Sequence, residues 1–371
     1  MAHSARRRAG KHSMKITVAG SGAMGCRFGA ALFLAGHDVV LLDGWREHVT
    51  AINEAGLRVS DMTGTRTLPM TAVLYPDPAR PAPDPARPAP DRARPAPDPA
   101  PAGPADLVIV FAKATATAAV AAASDAAGAI GPSTLVLTLQ NGLGNVEALL
   151  AHVPAGRLLA GTTTLGTELL GPGHIRALGS GETVLGALPG AIAAITPAER
   201  IASVAPAGEA AERVALALSA AGIPARVSPS ALEVIWAKVA FNCVMNSLCS
   251  IASIPVSALS RYDGFDALAG SVLDEVAAVA RAEGVIVDAA AALRLMHAQF
   301  DPSASGDHLA SMLQDLMNGR PTEIAHLNGA IAARAAARGI DAPVNTTVSR
   351  LIGLLEATWT DRVSRLHPET P

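Results

Sequence analysis

Residues 15 to 43 read KITVAGSGAMGCRFGAALFLAGHDVVLLD. A short β-branched strand runs to Ala19, a glycine-rich turn follows, and an apolar helix closes near Gly36. A second strand, DVVLL, then stops at Asp43. This is a complete βαβ unit in about 30 residues. It constrains the fold more than any other stretch, because a βαβ crossover joins parallel strands and its helix covers one face of their sheet. Two later segments agree with it. DLVIVFA (106–112) and TLVLTLQ (134–140) are continuously apolar rather than alternating, as strands buried on both faces are, and an alanine-rich helix separates them.

The turn within that unit carries chemistry. Gly20, Gly22 and Gly25 form G-x-G-x-x-G, with Asp43 ending the next strand 18 residues beyond Gly25. Glycine permits the tight turn, then close approach of the backbone to a pyrophosphate, then close packing of helix on strand. The helix start adds unpaired N–H groups and partial positive charge. Gly20, Ser21, Gly22, Ala23, Met24 and Gly25 are therefore the candidate dinucleotide loop. Asp43 can accept hydrogen bonds from both ribose hydroxyls and repels a 2′-phosphate, which favours NADH. Arg46 can pair with a 2′-phosphate, which favours NADPH. Both alternatives stay open.

The C-terminal part has a different texture. In EVIWAKVAFNCVMNSLCSIA (233–252) the apolar residues cover most of a helix circumference. What remains is one polar stripe of Lys238, Asn242, Asn246 and Ser250, each four residues after the last and about 6 Å further along the axis. A solvated face would carry several charges, and this one carries a single lysine. Stranding an ammonium among apolar side chains costs several kcal/mol unless it is partnered or neutralised.

Other features bound the reading. The chain, at 371 residues, is long enough for two cores. Aromatics are only 3% and alanine is abundant, which favours tightly packed helices over a β-sandwich. A formal charge of -3 gives no reason to expect a nucleic acid or an anionic membrane as partner. Cys26, Cys243 and Cys249 form no CxxC pair, which argues against a disulfide framework and fits a reducing cytosol. No HExxH or Cys/His spacing announces a metal. Lys238 and the two asparagines interrupt the best transmembrane candidate.

The basic residues 1–13 read as a disordered extension without a secretory h-region. Residues 76–104 hold a seven-residue proline repeat whose composition forbids helix and favours a solvated polyproline II loop between two strands. Residues 161–188 are expected to form the far, antiparallel edge of the sheet, and 189–209 an alanine- and proline-rich loop before a helix ending at Gly222. The expected organisation is an α/β Rossmann-type dinucleotide-binding domain over 14–229 and an all-α domain over 230–371, with the boundary near Ser228 to Ser230.

Together GSGAMG, QNGLG (140–144), IWAKVAFNCVMNSL and SMLQDLMNGRPTEIAHLNGAI (311–331) resemble the ketopantoate reductase family. The resemblance runs from about Met14 to Glu356, outside the proline repeat and the loop near 189–209. It implies reduction of the C2 ketone of 2-dehydropantoate to (R)-pantoate, on the way to pantothenate and coenzyme A. It implies a nicotinamide cofactor, typically NADPH, and a Rossmann domain joined to a helical one. Lys238 would be the general acid at the reacting carbonyl, with Glu323 steadying it. Asn242, Asn246, Ser311 and Asn141 would bind substrate, and Asn141 and Lys113 would lie beside the cofactor. Thr162 and Thr163 fall in a segment facing the cleft in relatives, with an uncertain register. Many members carry an arginine where Gly44 stands here, so the resemblance leaves NADP and NAD unresolved. It also implies a homodimer.

Each of these residues has a plainer alternative. Lys238 can snorkel to the surface, Glu323 after Pro321 can serve a helix dipole, and Asn141 before Gly142 can be a turn residue. Two other functions compete: an oxidoreductase acting on another 2-oxo or hydroxy acid, and a non-catalytic dinucleotide sensor.

Overall fold

The computed structural model describes residues 13–75, 103–188, 197–301 and 308–361. The basic tail and the proline repeat, apart from residues 13, 103 and 104, lie outside the described residues. Backbone contacts divide the chain into two units: residues up to Gln140 with Gly144–Val234, and Asn141–Leu143 with Ile235 onwards.

The first unit is built on an eight-stranded sheet. Its strands are β1 (Lys15–Ala19), β2 (Asp38–Asp43), β5 (Thr71–Leu74), β6 (Leu107–Val110), β7 (Leu135–Thr138), β8 (Leu158–Thr163), β11 (Thr183–Ala187) and β12 (Ala225–Val227). They run in the order β12-β11-β8-β7-β6-β1-β2-β5, and every neighbouring pair is parallel except β8 with β11. All four residues of β6 and of β7 are buried, as expected for strands covered on both faces. Helix α1 (Ala23–Leu34) follows β1, α2 (Arg46–Ala55) follows β2, α3 (Thr117–Ala126) follows β6 and α4 (Asn145–Leu150) follows β7. Ile16, Phe28, Leu41, Ile109 and Leu137 are completely buried in the shared core. Each such side chain contributes about 1.5–3 kcal/mol on removal from water.

Residues 161–188 do not form a single sheet edge. β8 and β11 pair antiparallel inside the large sheet, as expected for that pair, but β12 lies beyond them as the edge. The three residues Ala225–Val227 hide within IPARVSPS, too short a run to announce a strand. β9 (Gly166–Gly171) and β10 (His174–Leu178) leave the large sheet and join β3 (Leu57–Asp61) and β4 (Gly64–Leu68) in the order β4-β3-β10-β9. Arg27 of α1 holds this second sheet, donating to the carbonyls of Gly166, Leu178 and Gly179. The helix expected to start after residue 209 begins earlier, as α5 (Pro197–Ala220). Proline suits a helix's first turn, and alanine is the strongest helix former, so the composition read as a loop supports helix instead. Residues 189–196 lie outside the described residues.

The second unit is helical: α6 (Ala231–Ala252, from Ile235), α7 (Phe265–Ala282), α8 (Ala289–Ala298), α9 (Ser311–Met317), α10 (Asn328–Ala336) and α11 (Pro343–Thr358). By length and composition α6 could cross a bilayer. Here Ile235, Trp236, Val239, Val244 and Met245 are buried in protein instead. The Glu275 carboxylate of α7 accepts from the backbone N–H groups of Val344 and Asn345 at 2.8 Å each, capping α11 where its own first turn leaves donors unpaired.

Candidate active site

The glycine turn of the first unit pairs two sterically required glycines with an open one. Gly20 has φ +89°, and a Cβ there would meet the Ala112 nitrogen at 2.5 Å. A Cβ on Gly25 would strike the Gly20 carbonyl oxygen. These two glycines are required by the fold itself. Gly22 differs, because a Cβ on it would meet nothing within 4 Å. It is the N-cap of α1, and no side chain caps the first-turn N–H groups there. The backbone is thus open to approach where an anion gains most from it, and these residues fit a dinucleotide.

Asp43 closes the turn at the end of β2. Its Oδ2 accepts from Ser21 N–H at 2.7 Å and from Ser21 Oγ at 3.1 Å, and its Oδ1 accepts from Trp45 N–H at 2.8 Å. The carboxylate therefore shapes the turn and remains half-buried beside it. Arg46 opens α2 and is exposed, and Lys113 is exposed after β6, at the head of a short 3-10 turn. Ala23 and Met24 form the half-buried first turn of α1.

In the second unit, α6 carries the expected polar stripe into the protein. Asn242 is 5% exposed and Ser250 is fully buried, while Lys238 and Asn246 are half-buried. The Ser250 hydroxyl finds no hydrogen-bond partner among the described residues. Burial pushes the Lys238 ammonium down to about 8, and the nearby Glu323 carboxylate works in the opposite direction. Glu323 heads the 3-10 turn Ile324–His326, which places its charge where it acts on the lysine. Buried Cys243 and Cys249 offer no competing nucleophile, since burial pushes both thiols up, Cys249 to about 12.

The turn around Glu323 also grips the loop that holds Asn141. Leu143 N–H donates to the His326 carbonyl at 2.8 Å, and His326 Nδ1 lies 3.0 Å from the Leu143 carbonyl. Gly142, at φ +83°, leaves room for this, because a Cβ there would meet the His326 carbonyl oxygen at 2.7 Å. Asn141 is half-buried beside it. Ser311 is exposed at the start of α9. Thr162 and Thr163 are buried in β8, and Thr163 Oγ1 accepts from Thr183 Oγ1 at 3.2 Å.

Sequence reasoning missed the other side of α6. Ser247 Oγ donates to Asn328 Oδ1 at 2.7 Å, and Asn328 Nδ2 donates to the Cys243 carbonyl and to Asn345 Oδ1, both at 3.0 Å. Asn345 Nδ2 in turn donates to Glu275 Oε2 at 2.8 Å. Asn328 precedes Gly329 at a helix start, a pattern that reads as an ordinary cap.

A parallel sheet with an open glycine turn after its first strand, in a chain that also holds a half-buried lysine near a carboxylate, is the pattern of a dinucleotide-dependent oxidoreductase. Comparison with known proteins narrows the class. Residues 16–190 match the family profile "Ketopantoate reductase PanE/ApbA", and residues 230–356 match "Ketopantoate reductase PanE/ApbA C terminal". The chain belongs to the ketopantoate reductase family and is an oxidoreductase. It is 34% identical to the 2-dehydropantoate 2-reductase of Halobacterium salinarum, covering 92% of this chain and 99% of that protein. It is 31% identical to that of Lactococcus lactis, covering 91% and 97%. Among solved structures, D-mandelate dehydrogenase with NADH and anilino(oxo)acetate superposes with TM-score 0.79 at 29% identity, covering 94% of this chain and 99% of that one. The ketopantoate reductase of Ralstonia eutropha superposes with TM-score 0.72 at 32% identity, covering 94% and 100%.

Proposed function

We propose that this enzyme reduces 2-dehydropantoate to (R)-pantoate, with Lys238 as the general acid. The observation that carries the proposal is a half-buried lysine whose pKa, at about 8, lies within reach of neutral pH, next to Glu323. When bound, the reduced nicotinamide supplies a hydride to the ketone carbon. Charge then grows on the ketone oxygen, and Lys238 Nζ donates a proton to it. A general acid works best with a pKa near the operating pH, which burial has arranged here. Glu323 keeps enough lysine protonated for the task. Asn242 and Asn246 follow one and two turns along α6, where their amides serve the substrate's carboxylate and hydroxyl without adding charge. Asn141 and Ser311 complete the proposed substrate contacts.

The Gly20–Gly25 turn and Lys113 would hold the dinucleotide. We further propose NADH over NADPH. Asp43 presents a carboxylate at the end of β2, anchored by Ser21 and Trp45, where a 2′-phosphate would meet like charge. Gly44 next to it has no side chain to offset that charge, and Arg46 stands exposed beyond.

A second reading, another 2-oxo acid as substrate, is favoured by the likeness to D-mandelate dehydrogenase, a structure solved with NADH. A spectrophotometric screen of 2-oxo acids against both cofactors tests all three points. The expected result is a kcat/KM highest for 2-dehydropantoate, and higher with NADH. An aromatic 2-oxo acid used more efficiently would install the second reading. Failure to oxidise either cofactor with any 2-oxo acid would leave only a dinucleotide-binding role. Rescue of a pantothenate auxotroph would place the activity in that pathway, and light scattering would test the expected homodimer.

A further inference from the structure

The buried polar chain behind α6 does more than fill a core. On a helix of 3.6 residues per turn, Cys243 and Ser247 lie roughly 140° and 180° around from Lys238. Asn328 is fully buried against that opposite face, with both groups of its amide in use. It reaches α6 twice, through the Cys243 carbonyl and the Ser247 hydroxyl, and α11 once, through Asn345. Asn345 is itself fixed to α7 by Glu275 and by the Val272 carbonyl at 3.2 Å. Fully satisfied buried networks specify one geometry, because any slip leaves a polar group unpaired at a cost of about 1–3 kcal/mol.

Asn328 is also five residues from Glu323 along the chain. The intervening turn is stiff: His326 N–H donates to the Glu323 carbonyl at 2.9 Å, and Ile324 N–H to Thr322 Oγ1 at 3.2 Å. Glu323 and Lys238 are therefore linked by a short rigid path through the turn, the Asn328 amide and one stretch of α6. Apolar side chains would fill the same space without fixing that register.

We propose that Asn328 is a positioning residue that sets Glu323 against Lys238. The inference rests on Lys238 being the proton donor. Among the charged groups nearby, Glu323 is the one that acts on Lys238. Glu233, five residues earlier on the helix, is exposed, and Glu275 is engaged behind Asn345. His326 is turned to the Leu143 carbonyl.

Two readouts in the full-length protein test it. One is the pH dependence of kcat for reduction. The other is the pH dependence of Lys238 acetylation by acetic anhydride, followed by peptide mass spectrometry, which needs no turnover. In Asn328→Ala, the midpoints of both are expected to fall by about half a pH unit or more, with kcat down about tenfold and the cofactor KM unchanged. Ser247→Ala, which removes one arm and keeps the core, should move both in the same direction by less. Adding Asn328→Ala to Glu323→Gln should shift the acetylation midpoint no further than Glu323→Gln alone. Lowered melting temperature with unmoved midpoints in both single variants would overturn the proposal, as would fully additive shifts. If Asn328→Ala fails to fold, Ser247→Ala decides. If the wild type reduces no 2-oxo acid, the catalytic reading fails, while the acetylation midpoints still decide whether Asn328 sets the pair.

Discussion

Lys238 carries opposite consequences for activity and stability. With a pKa near 8, its protonated form falls away as pH rises through that value, so reduction should slow above pH 8. Oxidation of the hydroxy acid needs the neutral amine and should gain over the same range. Glu323→Gln removes the influence that raises the pKa, so both limbs should move to lower pH. Stability runs differently. The folded pKa lies below the usual lysine value of 10.5, so between about pH 8 and 10.5 the unfolded chain binds more protons and stability rises with pH. Below pH 8 both states are protonated and the full cost of burial remains. Lys238→Met should therefore lose about 10²–10⁴-fold in kcat. It should also gain of order 2 kcal/mol of stability at pH 7, a trade of function against stability. Stopped-flow assays and thermal melts on one preparation check both, and a Lys238→Met enzyme with near-normal kcat would remove the lysine from the chemistry.

The three glycines of the proposed dinucleotide turn divide the labour of one element. Gly20→Ala must fit a side chain at φ +89° and 2.5 Å from backbone nitrogen, so the strand–turn–helix unit itself should fail, with a loss of several kcal/mol. Gly22→Ala clashes with nothing in the protein. It should fold with an unchanged melting temperature yet bind NADH about tenfold or more weakly, because the added methyl occupies the approach to the pyrophosphate. Fluorescence titration of NADH beside a thermal melt separates the two outcomes; equal effects in both variants would contradict this division. The glycine pattern was legible because strand, turn and helix each declare themselves locally. β12 was not, since three residues hold too few side chains to show a period, and its place is set by pairing with β11. The second sheet escaped for a related reason. The pairing of β3 with β10 joins residues more than a hundred positions apart, and no local pattern encodes such a partner.

At the scale of the whole molecule, the candidate site residues stood out in the sequence where one polar side chain interrupts an apolar helix, as Lys238, Asn242 and Asn246 do. They were not where polar groups satisfy one another across elements, as Ser247, Asn328, Asn345 and Glu275 do, because each alone passes for a cap or a surface residue. The same topology bears on the proline repeat. β5 is the outer strand and β6 lies three positions inward, with both running the same way, so the distance a connection has to cover is fixed by the strands themselves. Three strand spacings and one four-residue strand set a direct span of about 19 Å, roughly six extended residues, and a parallel crossover takes about a dozen. Tyr75 and residues 103–106 already supply part of that length. Replacing residues 76–102 by a ten-residue glycine–serine segment should therefore satisfy the connection, keeping NADH affinity and kcat within about twofold of the full chain. A folded variant that lost more than tenfold in either would show that the repeat takes part in binding or turnover.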